Sequence, residues 1–193
     1  MQTLIDLDKK ILLFLNGLNH PVLDQIMIYT TETFFWLPLY LFLLFLMFKN
    51  YKRETWFILL GATITIVLSD QITSSLMKPF FARLRPSQEP ALQSLIHLVN
   101  GYKGGLYGFA SSHAANTFGT ALFVWLVLSP IYKRVGWIFV WAAFVTYTRI
   151  YLGVHYPGDI LVGAIIGLGC GWVGFLASRW LIDRYGTAQP ISK

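Results

Sequence analysis

Charge is what this chain has least of. Of its 193 residues, 12% are Asp, Glu, Lys or Arg, against 55% hydrophobic and 17% aromatic. An average soluble domain carries roughly 25% charged and about 45–50% apolar residues. Half the usual charge cannot cover the surface of a water-exposed globule of this size, and a mean hydropathy of +0.57 excludes a disordered chain. Cysteine is nearly absent: the single Cys170 excludes an intrachain disulfide and any cysteine-based metal cluster. With Gly169 and Gly171 beside it in an apolar run, it reads as a buried thiol. No internal repeat is evident, and no Pro/Ser-rich linker divides the chain. Residues 1–18 do not read as a secretory leader, because Asp6 and Asp8 precede Lys9 and Lys10 and the apolar stretch after them is too short. A single membrane-embedded domain over residues 1–193 is the reading that survives.

What is abundant is apolar sequence in long runs. A bilayer core of about 30 Å needs roughly 20 mainly apolar residues per helix, and five stretches qualify: Val22–Phe48, Trp56–Met77, Ala114–Leu128, Val135–Tyr151 and Ile160–Ile182. Ahead of them, Leu4, Leu7, Ile11, Phe14, Leu15 and Leu18 fall on one helical face, with Asp6, Lys9, Lys10 and Asn16 elsewhere, which predicts a short amphipathic helix in the membrane interface. Asn19, His20 and Pro21 end it. The expected fold is therefore all-α: a polytopic bundle over residues 22–182 of about five transmembrane helices, plus the interfacial helix. Gly163, Gly167 and Gly171 recur every fourth residue in the last span, a flat stripe that lets helices approach closely, within the bundle or between chains. Oligomeric state is not legible here.

The net charge of +6 and a pI near 9.5 raise the question of nucleic acid. The positions of the charges answer it, since most basic residues lie in short clusters between apolar runs rather than on one face. Lys49, Lys52 and Arg53, the pair Lys133–Arg134, and Arg179, Arg184 and Lys193 mark cytoplasmic ends by the positive-inside rule. Segments 78–113 and 149–159 then share the opposite, periplasmic or exterior face. That rule disfavours the cations found there: Lys78, Arg83, Arg85 and Arg149. A bound anion compensates, and several Arg/Lys donors around serine hydroxyls make a cradle for phosphate oxygens.

His113 and His155 stand beside those groups, whereas His20 and His97 read as structural. His155 and Asp159 are four apart at a helix start, with Pro157 and Gly158 shaping the turn. That spacing lets the carboxylate accept the proton of one ring nitrogen and frees the other lone pair to attack. A metal is the rival reading of two histidines and an aspartate. Metal-ligand patterns are absent and the surrounding cations would repel a divalent ion, so no metal or other cofactor is expected. Asp70, about two turns before Lys78, is placed to pair with a basic group near the site, and Glu32 reads as structurally hydrogen-bonded.

Three segments in order resemble a known signature. Lys78-Pro-Phe-Phe-Ala-Arg-Leu-Arg85-Pro86 fits Lys-x6-Arg-Pro, Ala110-Ser111-Ser112-His113 is similar to Pro-Ser-Gly-His, and Thr148-Arg149 with His155 and Asp159 is similar to Ser-Arg-x5-His-x3-Asp. Together they resemble the type 2 phosphatidic acid phosphatase (PAP2) superfamily of integral-membrane lipid phosphatases. The departures are Ala110 for proline, Ser112 for glycine and Thr148 for serine. The resemblance implies His155 as the nucleophile that forms a phosphohistidine, Asp159 orienting it, and His113 protonating the leaving oxygen and then activating water. It implies Lys78, Arg85, Ser111, Ser112 and Arg149 as phosphate ligands and no metal. Arg83 lies outside the signature and reads either as an auxiliary rim charge for a diphosphate or headgroup, or as simply exposed.

The expectation is a lipid phosphatase of the inner (cytoplasmic) membrane whose partner is a phosphorylated lipid in the bilayer. The substrates open to it are undecaprenyl diphosphate, placed first by resemblance alone, phosphatidylglycerophosphate and lipid A 1-phosphate. A transporter or flippase of such a lipid is the alternative from another class. Transporters usually carry repeats and midplane binding groups, and this chain has neither.

Overall fold

The computed structural model describes residues 2–186. Eight α-helices follow in order: α1 (Gln2–Asn16), α2 (Pro21–Thr30), α3 (Leu37–Tyr51), α4 (Thr55–Asp70), α5 (Lys78–Phe81), α6 (Ser112–Leu128), α7 (Ile138–Tyr151) and α8 (Pro157–Tyr185). Between α4 and α5 the seven residues Gln71–Met77 continue as a π-helix. Extended pairing among the described residues is limited to one antiparallel bridge, Leu84 with Tyr107. Two helical runs, Thr33–Phe81 and Pro157–Tyr185, are long and apolar enough to cross a membrane, and α6 is a shorter apolar helix. The longer run contains a reversal at Lys52, whose φ of 47° and ψ of −117° end α3. Thr55 then donates back to the Met47 carbonyl, and Leu43, Met47 and Ile58 share one core with α6 and α7.

The first expected span is shorter than its sequence pattern. Val22–Phe48 is not one helix: α2 stops at Thr30, and α3 begins only at Leu37 after a 3-10 turn. The Trp36 indole donates to the freed Thr30 carbonyl at 2.8 Å, and Pro38 sits in the first turn of α3, where its missing N–H costs nothing. The apolar residues run on across this break, which is why hydropathy reads through it. Of the other four expected spans, Trp56–Met77 is divided between α4 and the π-helical turn that follows it, and the remaining three fall largely on α6, α7 and α8.

The glycine stripe packs inside the chain. A Cβ on Gly163 would run into the Ser111 carbonyl, and one on Gly167 would run into the Ala115 carbonyl and stand 2.7 Å from the Ala115 Cα. The α6 and α8 backbones therefore touch directly. At the α8 N-terminal end, this contact lets the Ser111 N–H donate to the Asp159 carbonyl at 3.0 Å, so helix packing itself brings the second and third sequence segments together.

Helix α1 lies across that end of the bundle. Asp8, Leu12 and Asn16 form its inner stripe: Leu12 packs with Leu92, Ile96, Ile150 and Tyr156, and Asn16 bonds the backbones of His97 and Tyr151. Leu4, Leu7, Phe14 and Leu18 point outward and are exposed. Helices α1 and α2 meet at a bend of 113°, where His20 caps α2 by accepting from the Val22 N–H at 3.2 Å. His97 binds both oxygens of Asp24 at 3.0 Å. Both histidines thus have the structural places expected of them. Glu32, by contrast, is exposed and does not cap the turn it precedes.

Candidate active site

The site is assembled around the short bridge at Leu84. Arg85 donates its N–H to the Leu106 carbonyl at 3.0 Å, and Gly108 donates to the Arg83 carbonyl at 2.9 Å. In extended backbone, residues two apart leave on the same side. Arg83 and Arg85 accordingly bracket the pair formed by His155 and Asp159: Arg85 Nη1 lies 2.9 Å from His155 Nε2, and Arg83 Nη1 lies 2.7 Å from Asp159 Oδ1. His155 and Asp159 are 1% and 0% exposed.

These contacts decide the state of the imidazole. Arginine only donates, so Nε2 facing Arg85 is the acceptor nitrogen, and the proton sits on Nδ1, 3.4 Å from Asp159 Oδ2. Burial, followed by the charges of Arg85, Arg149 and Lys78, holds the His155 pKa well below its ordinary 6.5. The ring is neutral, with its lone pair directed at the cations. The second Asp159 oxygen also accepts the Tyr156 N–H at 3.0 Å, which fixes the carboxylate in the first turn of α8.

Arg149, 2% exposed on α7, is held from two other elements: Nη1 donates to Thr31 at 2.7 Å and Nη2 to the Tyr102 hydroxyl at 3.2 Å. Thr148, in the position of the family serine, also donates to Thr31 at 2.9 Å. Neither Arg85 nor Arg149 has a carboxylate partner among the described residues, and their Nε–H groups are buried without a protein acceptor. Lys78 is held differently. Its ammonium donates to Ser112 at 2.6 Å and to Ser74 at 3.1 Å, and Ser74 in turn donates to Asp70 at 3.0 Å. Asp70 thus reaches Lys78 through a hydroxyl. The π-helical turn supplies the geometry, directing Thr73 and Ser74 at Ser112 from 2.9 and 2.8 Å. Ser112, which departs from the family glycine, is the hub of this network. Ser111 is fully buried and caps α6 through the Ala114 N–H. His113, in the first turn of α6, lies within electrostatic reach of Arg149, His155, Arg85 and Lys78.

Every residue expected at the site is thus at one end of the bundle, but Arg83 differs in task. Its guanidinium is taken up by two carboxylates, Asp159 at one nitrogen and Asp8 at the other, 2.7 Å each, and lies 3.9 Å above the Tyr156 ring. It is not a free rim charge. Sequence reasoning also passed over Thr31, Tyr102, Asp8, Thr73 and Ser74. Thr31 and Tyr102 are 118 and 47 residues from the arginine they bind, so no local spacing signals them. Thr73 and Ser74 lie one helical turn before Lys78, the one spacing that could have suggested them. Among the described residues, no group of three or more His, Cys, Asp or Glu side chains is arranged to hold a metal ion.

A neutral imidazole whose lone pair points at buried, unmatched arginines is suited to a phosphoryl group, and its place at the ends of apolar helices makes the class a membrane-bound phosphatase. Comparison with known proteins narrows the class to a family. Residues 58–183 match the model of the PAP2 superfamily, and the chain belongs to that superfamily and is a phosphatase. It is 37% identical over 193 residues to a lipid A 4'-phosphatase of Bacteroides thetaiotaomicron, covering 99% of this chain and 85% of the relative. A lipid A 4'-phosphatase of Porphyromonas gingivalis is 36% identical over 188 residues, covering 94% and 79%. The fold is similar to that of a transmembrane PAP2-type phosphatidylglycerolphosphate phosphatase from Bacillus subtilis, with a TM-score of 0.69 at 24% identity, over 98% of this chain and 90% of that one.

Proposed function

We propose that the protein removes a phosphate monoester from a lipid A-type glycolipid at the outer face of the cytoplasmic membrane, through a phosphohistidine on His155. The observation that carries the chemistry is Arg85, without a carboxylate partner, set 2.9 Å from the lone-pair nitrogen of His155, with Arg149, likewise without one, in electrostatic reach of the same ring. Phosphate oxygens between the two arginines draw Arg85 off Nε2, which then attacks phosphorus. The bond from phosphorus to the lipid oxygen breaks, and that oxygen takes the proton of His113, which enters the step protonated because the bound phosphate charge offsets the surrounding cations. In the second step His113 takes a proton from water, the hydroxyl attacks phosphorus, the P–N bond breaks and inorganic phosphate leaves. Asp159 holds Nδ1–H throughout, so the developing imidazolium charge is met by a carboxylate already in place. Lys78, Ser111 and Ser112 complete the oxygen contacts.

The glycolipid is preferred to undecaprenyl diphosphate because the two relatives above, similar along nearly the whole chain, are lipid A 4'-phosphatases. Read as five membrane crossings, α3, α4, α6, α7 and α8 would put the basic turns on one face and the site on the other, a topology the positive-inside rule supports. The exposed Leu4, Leu7 and Phe14 of α1, with Leu18 just beyond it, lie at the site end, which suits a helix resting on the interface. Release of inorganic phosphate by purified protein tests the reading, with lipid A, phosphatidylglycerophosphate and undecaprenyl diphosphate offered side by side in mixed micelles. Turnover of lipid A with product lacking one phosphate is expected. Preference for either of the other two overturns the substrate assignment, and full turnover by His155→Ala overturns the mechanism.

A further inference from the structure

The contact between α1 and the catalytic pair has no role in the chemistry above. Asp159 is fully buried and takes Arg83 at 2.7 Å, but the Arg83 side chain is 28% exposed and its stem alone does not fix where the guanidinium points. Asp8 fixes it. Its Oδ2 accepts from Arg83 Nη2 at 2.7 Å, while its Oδ1 accepts the Gly158 N–H at 2.8 Å, a backbone donor in the first turn of α8. The Tyr156 ring closes the third side of the guanidinium at 3.9 Å. Asp8 therefore ties together the two things that orient Asp159: the arginine on its side chain and the helix start that carries it. The backbone makes room for this contact, since a Cβ on Gly158 would stand 3.0 Å from Asp8 Oδ2.

We propose that Asp8 is a positioning residue, which acts from α1 through Arg83 to hold Asp159 against the His155 imidazole. It touches neither substrate nor the attacking nitrogen. The inference rests on the phosphatase reading and adds α1 to the working parts of the site. The chain order Asp8–Arg83–Asp159–His155 makes the effect one on the chemical step: a guanidinium released from Asp8 can leave Asp159 or pull it out of line with Nδ1, and small misplacements at such a pair are costly.

The test is a double-mutant cycle on the purified full chain, with lipid A as substrate and inorganic phosphate as readout. Asp8→Asn keeps the shape but turns an amide toward the Arg83 donors; kcat should fall about tenfold with KM changed less than about twofold. Asp8→Glu, which can still reach Arg83, should recover most of the loss. The Asp8→Asn, Arg83→Ala double variant should be no slower than Arg83→Ala alone, because the second change has nothing left to act through. A KM effect with kcat preserved, wild-type kcat in Asp8→Asn, or strictly additive losses in the double variant would each overturn the proposal. Gly158→Ala supplies an independent arm: it crowds Asp8 without removing charge, and a kcat equal to wild type counts against the proposal. Wild-type chain that releases no phosphate from any lipid, in the same assay, would instead sink the phosphatase reading beneath it.

Discussion

Replacing Gly167 by alanine should damage the site from a distance, because α6 and α8 meet there backbone to backbone. The new methyl would overlap the Ala115 carbonyl and stand 2.7 Å from the Ala115 Cα. To bring that second distance to an ordinary 3.4 Å the helices must part by about 0.7 Å, and by more to clear the oxygen. Carried to the α8 N-terminal end, the same parting stretches the Ser111 N–H contact with the Asp159 carbonyl from 3.0 Å to about 3.7 Å, beyond hydrogen-bonding reach. Overpacking of this kind costs about 1–3 kcal/mol, equivalent to a drop of about 2–12 °C in Tm for a chain of this size. The loosened Ser111–His113 segment should lower kcat about tenfold. Gly169→Ala is the matched control, since a Cβ there meets nothing within 4 Å, and exposed helical Gly→Ala changes are neutral to stabilising. Thermal unfolding in detergent and phosphate release are measured on both variants. Equal behaviour of the two, or a wild-type Tm and kcat in Gly167→Ala, would refute the packing account.

Asp159→Asn removes the carboxylate charge that orients Nδ1–H and should cost about 10³-fold in kcat with little change in KM; a loss under about tenfold would show that the carboxylate does not hold the ring for attack. Thr31→Val takes away the hydroxyl shared by Arg149 and Thr148 and should raise KM for lipid about threefold to tenfold, whereas an unchanged KM would place Arg149 outside substrate binding. His155 is held neutral in the fold and is free to protonate at its ordinary 6.5 when unfolded. It therefore contributes stability above pH 6.5 that is lost as the pH falls from there toward its lower folded value. The drop in Tm between pH 7.5 and pH 5 (~2.5 pH units, spanning the free imidazole's range) should be smaller in His155→Gln than in wild type, and equal drops would contradict a neutral imidazole.

The parts of the site that could be read from the chain were those whose spacing is local: Lys78 with Arg85, Ser111 to His113, and His155 one helical turn from Asp159. Their outward grouping followed from cations lying where topology disfavours them. The residues that hold this machinery were hidden for a common reason. Thr31, Tyr102 and Asp8 contact arginines far along the chain, and a threonine, a tyrosine or an aspartate in such places looks like any other polar residue until packing brings it in. Arg83 was visible, but its two carboxylates were not, so its charge was assigned outward instead of to Asp159. In the fold, hydropathy ran through the break at Thr31–Trp36 because aromatic and aliphatic residues continue across it, while the Trp36 bond and Pro38 decide where α3 starts. The glycine stripe signalled close packing; that its partner is α6 of the same chain is decided by contacts between distant residues, Gly163 with Ser111 and Gly167 with Ala115.

In the proposed reaction His155 carries the phosphoryl group between the two steps. Enzyme mixed with lipid A and quenched in alkali within a turnover should carry a single added phosphoryl group, stable to base and labile to acid, on the peptide containing His155, and His155→Ala should carry none. Wild-type enzyme that releases phosphate at full rate without ever bearing that group would contradict it.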